Sequence, residues 1–313
     1  MIRTLLLLAA ATAATPTSAA TTIRVPNLTA IGARDCGAAP PPPSAVERLL
    51  LSDLVVVGKV SGIEADAVEA TPPYAGAKEK TKYRVAVVKI DAHVAGADKP
   101  KEIKVGFVPW PKRGPNDRPL RTDILMPELK EGQESLFFLA KHPTGGFYVM
   151  PGRNYPVAVK AGQANAELET VKRVAAVMAD PVKGLKSDKA EIRAETAALL
   201  ILKYRSRPAF VAETEAVAID ADESKLILKG LAESDWRYQG PRPLGTYAPL
   251  ASLAFMHLGL TEKDGWVEPV VVNNPGTPPP DRGVVVGDAF AQWLDGPGKD
   301  YVIKKLVPKK ADK

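Results

Sequence analysis

The sequence predicts an α+β protein in which a small antiparallel Greek-key β-barrel precedes a compact α-helical domain. Three observations carry that expectation. From Leu54 to about Lys160 apolar residues recur with period two, and β-branched residues dominate the candidate strands. After Gly162 the apolar spacing becomes that of a helix. Proline numbers 29 in 313 residues, about 9% against a usual ~5%, which favours turns and short elements over long helices. At roughly 100 to 200 residues per domain the length leaves room for two cores. The composition, 45% hydrophobic and 25% charged, is that of a folded chain, neither wholly disordered nor a polytopic membrane protein.

Residues 1–20 read as a cleavable secretory signal. Arg3 supplies the positive start, Leu5 to Ala14 an uncharged apolar run, and Thr17-Ser18-Ala19-Ala20 the small residues of a cleavage site. That run is shorter than the ~20 residues a membrane span needs, so the expectation is a secreted or periplasmic chain with no transmembrane span after cleavage. Residues 21–44 form a Pro-rich arm around Pro40 to Pro43, which favours extended backbone. Cys36 is the one cysteine, which excludes an internal disulfide framework and any CxxC metal or redox motif.

The barrel is expected over 45–162. Ser44-Ala45-Val46-Glu47 matches a capping box and predicts a short helix through Leu51. Leu54 to Val60 is a nearly continuous apolar run, the pattern of a strand covered on both faces. Tyr83, Val85 and Val87 share one face, and Val88, Ile90, Ala92 and Val94 share another. An extra residue near Val87-Val88 would bring all seven to one side, so a β-bulge is expected there. Strands follow at Ile103 to Phe107, Ser135 to Ala140 and Phe147 to Met150, with a Thr144-Gly145-Gly146 turn before the last and one long connection at Pro109 to Pro127.

The helical domain is expected over 163–313. Leu168, Val171, Ala175 and Met178 form one stripe ending at Asp180-Pro181. Asp188-Lys189-Ala190-Glu191 resembles a second capping box ahead of a stripe of Ile192, Thr196, Leu199, Leu200 and Lys203. Further helices are expected at Ser224 to Ala232, Pro249 to Leu258 and near Asp288 to Leu294. Asp220 to Ser224 begins like a calcium loop, but Lys225 stands where that loop needs glycine, so a helix N-cap is the expectation. Trp236, Trp266 and Trp293 are expected in the core of this half.

Ser52 to Val60, Tyr83 to Val94 and Leu129 to Leu139 together resemble the OB-fold barrel of the netrin-module and tissue-inhibitor-of-metalloproteinases superfamily, over about a third of the chain. The resemblance implies an OB-like barrel. In that family inhibition runs through a mature N-terminal cysteine that chelates the protease zinc. Here the expected mature start is Ala20 or Thr21, and Cys36 lies downstream of it.

Charge divides unevenly. Residues 21–165 hold 20 Lys+Arg against 15 Asp+Glu, while 166–313 hold 21 of each. The densest cationic stretch is Pro109 to Arg121, with four cations and one anion. Trp110, Lys112, Arg113, Arg118 and Arg121 are the candidate binding residues, an aromatic beside an electrostatic footprint. Gly-x-Ser-x-Gly, His-Glu-x-x-His, P-loop and Gly-x-Gly-x-x-Gly motifs are all absent. His93, His142 and His257 stand apart, none with a second His or Cys at ligand spacing. The sequence thus predicts a protein that is not an enzyme and uses no cofactor or metal. Its expected role is non-catalytic binding of a protein or an anionic envelope component rather than nucleic acid. The alternative is inhibition of an extracellular protease through the arm or the barrel rim.

Overall fold

The computed structural model describes residues 44–72, 79–108, 128–151, 155–159, 162–237, 250–272, 276 and 278–309, with backbone alone over 162–165. The chain there begins with helix α1 (Ala45–Leu50). Its start is the expected capping box: the Ser44 hydroxyl accepts from Glu47 N at 3.2 Å, and the Glu47 carboxylate accepts from Ser44 N at 2.8 Å.

Strands β1 (Leu54–Ile63), β2 (Val68–Ala70), β3 (Thr81–Ala95), β4 (Glu102–Phe107), β5 (Glu134–Lys141), β6 (Tyr148–Val149) and β7 (Val157–Ala158) build one sheet. β1 is antiparallel to β3 on one edge and to β5 on the other. β3 also pairs with β4, while β5 also pairs with β6 and β7. β2 lies against the start of β3, where Val68 faces Tyr83. β4 and β6 run parallel, with Val105 beside Tyr148.

The α+β class therefore holds, and the expected all-antiparallel arrangement does not: the sheet is mixed. The reason is arithmetic. The pairings run from β1 through β3, β4, β6 and β5 back to β1. Strand direction cannot alternate all the way round a ring of five, so one neighbouring pair must be parallel.

The bulge expected in β3 is also corrected. Register does shift opposite Val87-Val88, but the extra residue is Ser61 on β1, between Val60, which faces Val88, and Gly62, which faces Val87. Two further shifts lie further along β3, where Asp91 and Val94 are the extra residues opposite Val57-Gly58 and Val55-Val56. Nor do the apolar residues of β3 share one side. Ala86 and Val88 join the interior core with Leu54, Val56, Val60, Val105, Phe137 and Leu139, whereas Tyr83 and Val85 join a separate outer cluster with Phe147 and Val149. Both faces are covered, so no bulge is needed to explain the pattern.

β5 and the first half of β1, Leu54 to Gly58, are covered on both faces, as the apolar run predicts, whereas Lys59 and Ser61 further along β1 are exposed. Val55, Leu136 and Phe138 face away from the interior core and pack on Ala45 and Leu49 of α1. Val171 and Val174 of α2 (Gly162–Ala179) and Leu199 of α4 (Ala190–Arg205) complete that layer. Between α2 and α4, α3 (Pro181–Leu185) takes its cap from Asp180, whose carboxylate accepts from Lys183 N.

α4 departs from the expected single stripe, since Thr196 through Leu202 are all buried. A helix apolar on all sides is a central one. Leu199 serves the sheet-facing layer, while Ala197, Ala198, Leu200, Ile201 and Leu202 serve the helical core. Its N-cap is Lys189 with no side-chain hydrogen bond, so the expected second capping box does not form.

The helical core adds α5 (Ala221–Ala232), α6 (Leu250–Leu258) and α7 (Arg282–Asp295). Asp220 caps α5, accepting from Glu223 N at 2.9 Å, in line with the helix-cap expectation. α7 starts six residues before the expected Asp288, because Asp281 accepts from Gly283 N and Val284 N and caps it there. Trp236, Trp266 and Trp293 all lie in this core, as expected. This half is not purely helical, however. β8 (Thr214–Ala218) and β9 (Lys304–Pro308) form a two-stranded antiparallel sheet between segments far apart in sequence. No helix of the described residues is long and apolar enough to cross a membrane.

Leu199 is 0% exposed and sits where the two cores meet. Leu199→Ala is expected to lower unfolding free energy by about 2–5 kcal/mol in urea titration. Val182→Ala, at a side chain 54% exposed, is expected to change it by less than about 0.5 kcal/mol.

Candidate functional site

Trp110, Lys112, Arg113, Arg118 and Arg121 lie outside the described residues, as do the arm and Cys36. The two flanks of the basic connection are described. Phe107, the last residue of β4, and Leu129, ahead of β5, are buried in the same interior core. Arg84 of β3 spans the gap between them: its guanidinium lies 5.7 Å from the Phe107 ring centroid and 3.9 Å from the Glu128 carboxylate. The connection thus leaves and rejoins the sheet beside the start of β3.

On the outer face of the sheet the β5–β6 turn folds back over β4. The Phe147 ring lies directly on Gly106, where a Cβ would run into its Cε2 and Cδ2 atoms. Glycine at that position lets the ring reach the backbone. The Phe147 ring centroid stands 5.2 Å from that of Tyr83 and 4.9 Å from that of His142.

His142 is 3% exposed and ties two loops together. Its Nδ1 accepts from Thr144 N at 3.2 Å and Gly145 N at 2.8 Å, which assigns the ring proton to Nε2, 2.8 Å from the Thr71 carbonyl oxygen. Tyr83 Oη donates to that same carbonyl at 3.2 Å. His142 is thus a buried histidine with both ring nitrogens satisfied.

A residue from the other half of the chain closes this patch. Phe210, in the segment between α4 and β8, sets its ring edge-on to His142 at 4.8 Å. Its φ is +62°, the one positive value among described non-glycine residues. An aromatic residue held there is strained, and such strain persists only where surrounding contacts fix it. Nothing in the sequence marks Phe210 for this place.

The remaining titratable groups are accounted for by packing. His93 is exposed on β3 opposite Val56. Burial lowers the pKa of His257 in α6, only partly opposed by Glu47. Tyr204 donates to the Glu223 carboxylate at 2.5 Å, and its hydroxyl is pushed far above the ordinary tyrosine range, first by burial and then by that bond. Ser224 Oγ accepts from Ile303 N at 2.9 Å, tying α5 to the segment before β9. Among the described residues no cluster of His, Cys, Asp or Glu is placed to hold a metal ion.

At the other end of β4, between the β3–β4 and β5–β6 turns, lies an open groove of about 560 Å³. Asp98, Lys99, Glu102, Lys104, Lys141 and Tyr148 supply its polar and aromatic lining. Lys104 is held from outside by Glu64 at 2.7 Å. Burial pushes the Tyr148 hydroxyl up, helped by Asp98 and Asp53. The alternation of β4 and the turn signals predict the elements around this groove, but not that the two turns converge.

No protein-family model matches the chain, and no curated protein matches it in sequence.

Phe210→Ala removes the ring contact and keeps a side chain at positive φ, whereas Phe210→Gly removes the ring and relieves the backbone. In thermal and urea unfolding Phe210→Gly is expected to be the more stable of the two by about 0.5–1 kcal/mol. An alanine variant as stable as the glycine one would show that the backbone there is not held at positive φ.

Proposed function

We propose that this is a secreted or periplasmic non-catalytic binding protein whose contact surface is the basic connection 109–121, carried by an OB-like barrel. The observation that carries the reading is the anchoring of that connection. Phe107 and Leu129 are set into the interior core at one end of the sheet, and between them run Trp110, Lys112, Arg113, Arg118 and Arg121. Flanks set into one core hold both ends of this cationic run at the same end of the sheet, and a cationic run favours steering of anionic partners.

The barrel reading is supported by the ring of pairings with its single parallel pair, β4–β6, as a five-stranded Greek-key barrel would have. That strand order also favours kinship with the netrin-module and tissue-inhibitor superfamily. The compartment rests on Arg3, the apolar run Leu5 to Ala14 and the small residues at 17–20.

The partner class is a protein or an anionic envelope component. Nucleic acid fits less well, because single-stranded nucleic acid needs exposed aromatic platforms, whereas Tyr83 and Phe147 on the sheet's outer face are buried against one another and against His142.

The test is charge reversal, with Lys112, Arg113, Arg118 and Arg121 all changed to Glu in one variant. Immobilised wild-type protein is expected to retain acidic proteins or anionic glycans from an envelope extract, and the variant to retain about tenfold less. Equal retention by a variant with an unchanged melting curve would remove the connection as the contact surface.

A further inference from the structure

The groove at the start of β4 is built from different residues than the basic connection and offers a different chemistry. Its lining alternates in sign: Asp98 and Glu102 are anionic, Lys99, Lys104 and Lys141 cationic. Lys104 is engaged by Glu64 outside the groove. That leaves Lys99, Lys141, Asp98 and Glu102 around the groove, none of them in an ion pair among the described residues. A ligand of a single charge sign would meet repulsion as well as attraction here.

A hydroxyl group has no such difficulty, since it donates to a carboxylate and accepts from an ammonium. Tyr148 adds a half-buried ring that packs partly on the interior core beside Ile103 and Val105, with the ring's remainder at the groove. An aromatic surface of that kind takes the C–H faces of a pyranose ring. Gly146 contributes no side chain on the turn side, and the groove is open rather than enclosed, which suits a chain passing through better than a small molecule engulfed.

The position is fixed by rigid parts. Tyr148 is held between two strands, opposite Lys141 on β5 and beside Val105 on β4. Lys141 N donates to the Asp53 carboxylate at 2.8 Å, which pins the end of β5 to the start of β1. The backbone positions that carry Lys141 and Tyr148 are therefore fixed relative to each other, as a recognition site needs.

We propose that the groove lined by Asp98, Lys99, Glu102, Lys141 and Tyr148 is a binding site for a neutral oligosaccharide chain. It is independent of the basic connection and of the reading built on it.

The experiment is titration of the full chain by calorimetry and by ligand-observed NMR with maltotetraose, cellotetraose and chitotetraose, and with a heparin tetrasaccharide as the charged comparison. At least one neutral chain is expected to bind, with an affinity unchanged between about 0.05 M and about 0.5 M NaCl. Tyr148→Ala is expected to weaken it by about tenfold or more, and Tyr148→Phe by less than about threefold. Asp98→Ala and Lys99→Ala, at exposed side chains, are expected to weaken it about threefold to tenfold each; they carry the test if Tyr148→Ala does not fold. The fourfold charge reversal in the connection is expected to leave this binding intact, so the two proposals fail separately. Absence of binding to all three neutral chains at millimolar protein would overturn the site. So would binding of the heparin fragment alone with loss in salt, or a neutral-chain affinity indifferent to Asp98, Lys99 and Tyr148.

Discussion

From Leu54 to Gly58, β1 is paired on both edges and covered on both faces, and the rest of the structure hangs on that. One edge is taken by β3 and the other by β5. Leu54, Val56 and Val60 fill the interior core, while Val55 turns outward to α1, α2 and α4. A strand saturated in this way has no room for slippage, because a shift of one residue would exchange its two apolar faces and break two ladders at once. The helices that pack on its outward face inherit that rigidity. Within the same layer Arg48 of α1 meets Glu167 of α2 at 2.6 Å and lies 5.0 Å from the Phe138 ring centroid on β5. Burial lowers the Arg48 pKa, and the Glu167 and Glu47 carboxylates work against that shift. Such a pair adds little net stability over an apolar contact, but neither charge tolerates the loss of its partner. Its effect is to fix how α1 and α2 sit on the sheet.

The outer face of the sheet shows what this architecture spends its aromatic residues on. Tyr83, His142, Phe147 and Phe210 pack on one another rather than facing solvent. Through the Thr71 carbonyl and the amides of Thr144 and Gly145 they bind the segment after β2 to the β5–β6 turn. Phe210 extends that binding to the segment following α4. The second large aromatic set, Trp236, Phe255, Trp266, Phe290, Trp293 and Tyr301, is a continuous chain of ring contacts inside the helical half. With aromatics used in this way, recognition by the described surface falls to charged side chains and to half-buried rings at strand ends.

What the sequence made legible were features with local causes. The Ser44 capping box, the Asp220 cap, the doubly covered first half of β1 and the three core tryptophans each follow from residues within a few positions of one another or from composition. Non-local choices were not legible. The parallel β4–β6 pair follows from closing an odd ring, which no single strand announces. The β8–β9 ladder joins two short segments about ninety residues apart, one of them rich in lysine and ending in proline, and neither shows a strong alternation. β3 misled through its own regularity, since two apolar faces on one strand were explained by a bulge when the cause was a second cluster outside the sheet. The candidate groove was invisible for the same reason, because Asp98 and Tyr148 meet only when two turns converge. The family resemblance drew on strand spacing and hydrophobicity, and those properties specify a sheet more readily than an activity.

The groove opens at the start of β4, and the buried flank Phe107 of the basic connection ends that strand. Six residues at about 3.3 Å each place roughly 20 Å of strand between them, more than twice the ~8 Å over which charge is felt at physiological ionic strength. A charge fixed at one of these two ends of β4 is thus largely screened at the other. β4 is buried along its interior-facing residues Ile103, Val105 and Phe107, so it does not flex to bring the two closer. A ligand long enough to reach from the groove to the flanks of the connection would couple the two ends. A polymer carrying neutral and anionic segments would do so and gain from the high effective concentration of its second segment, whereas two separate small ligands would bind without sensing each other.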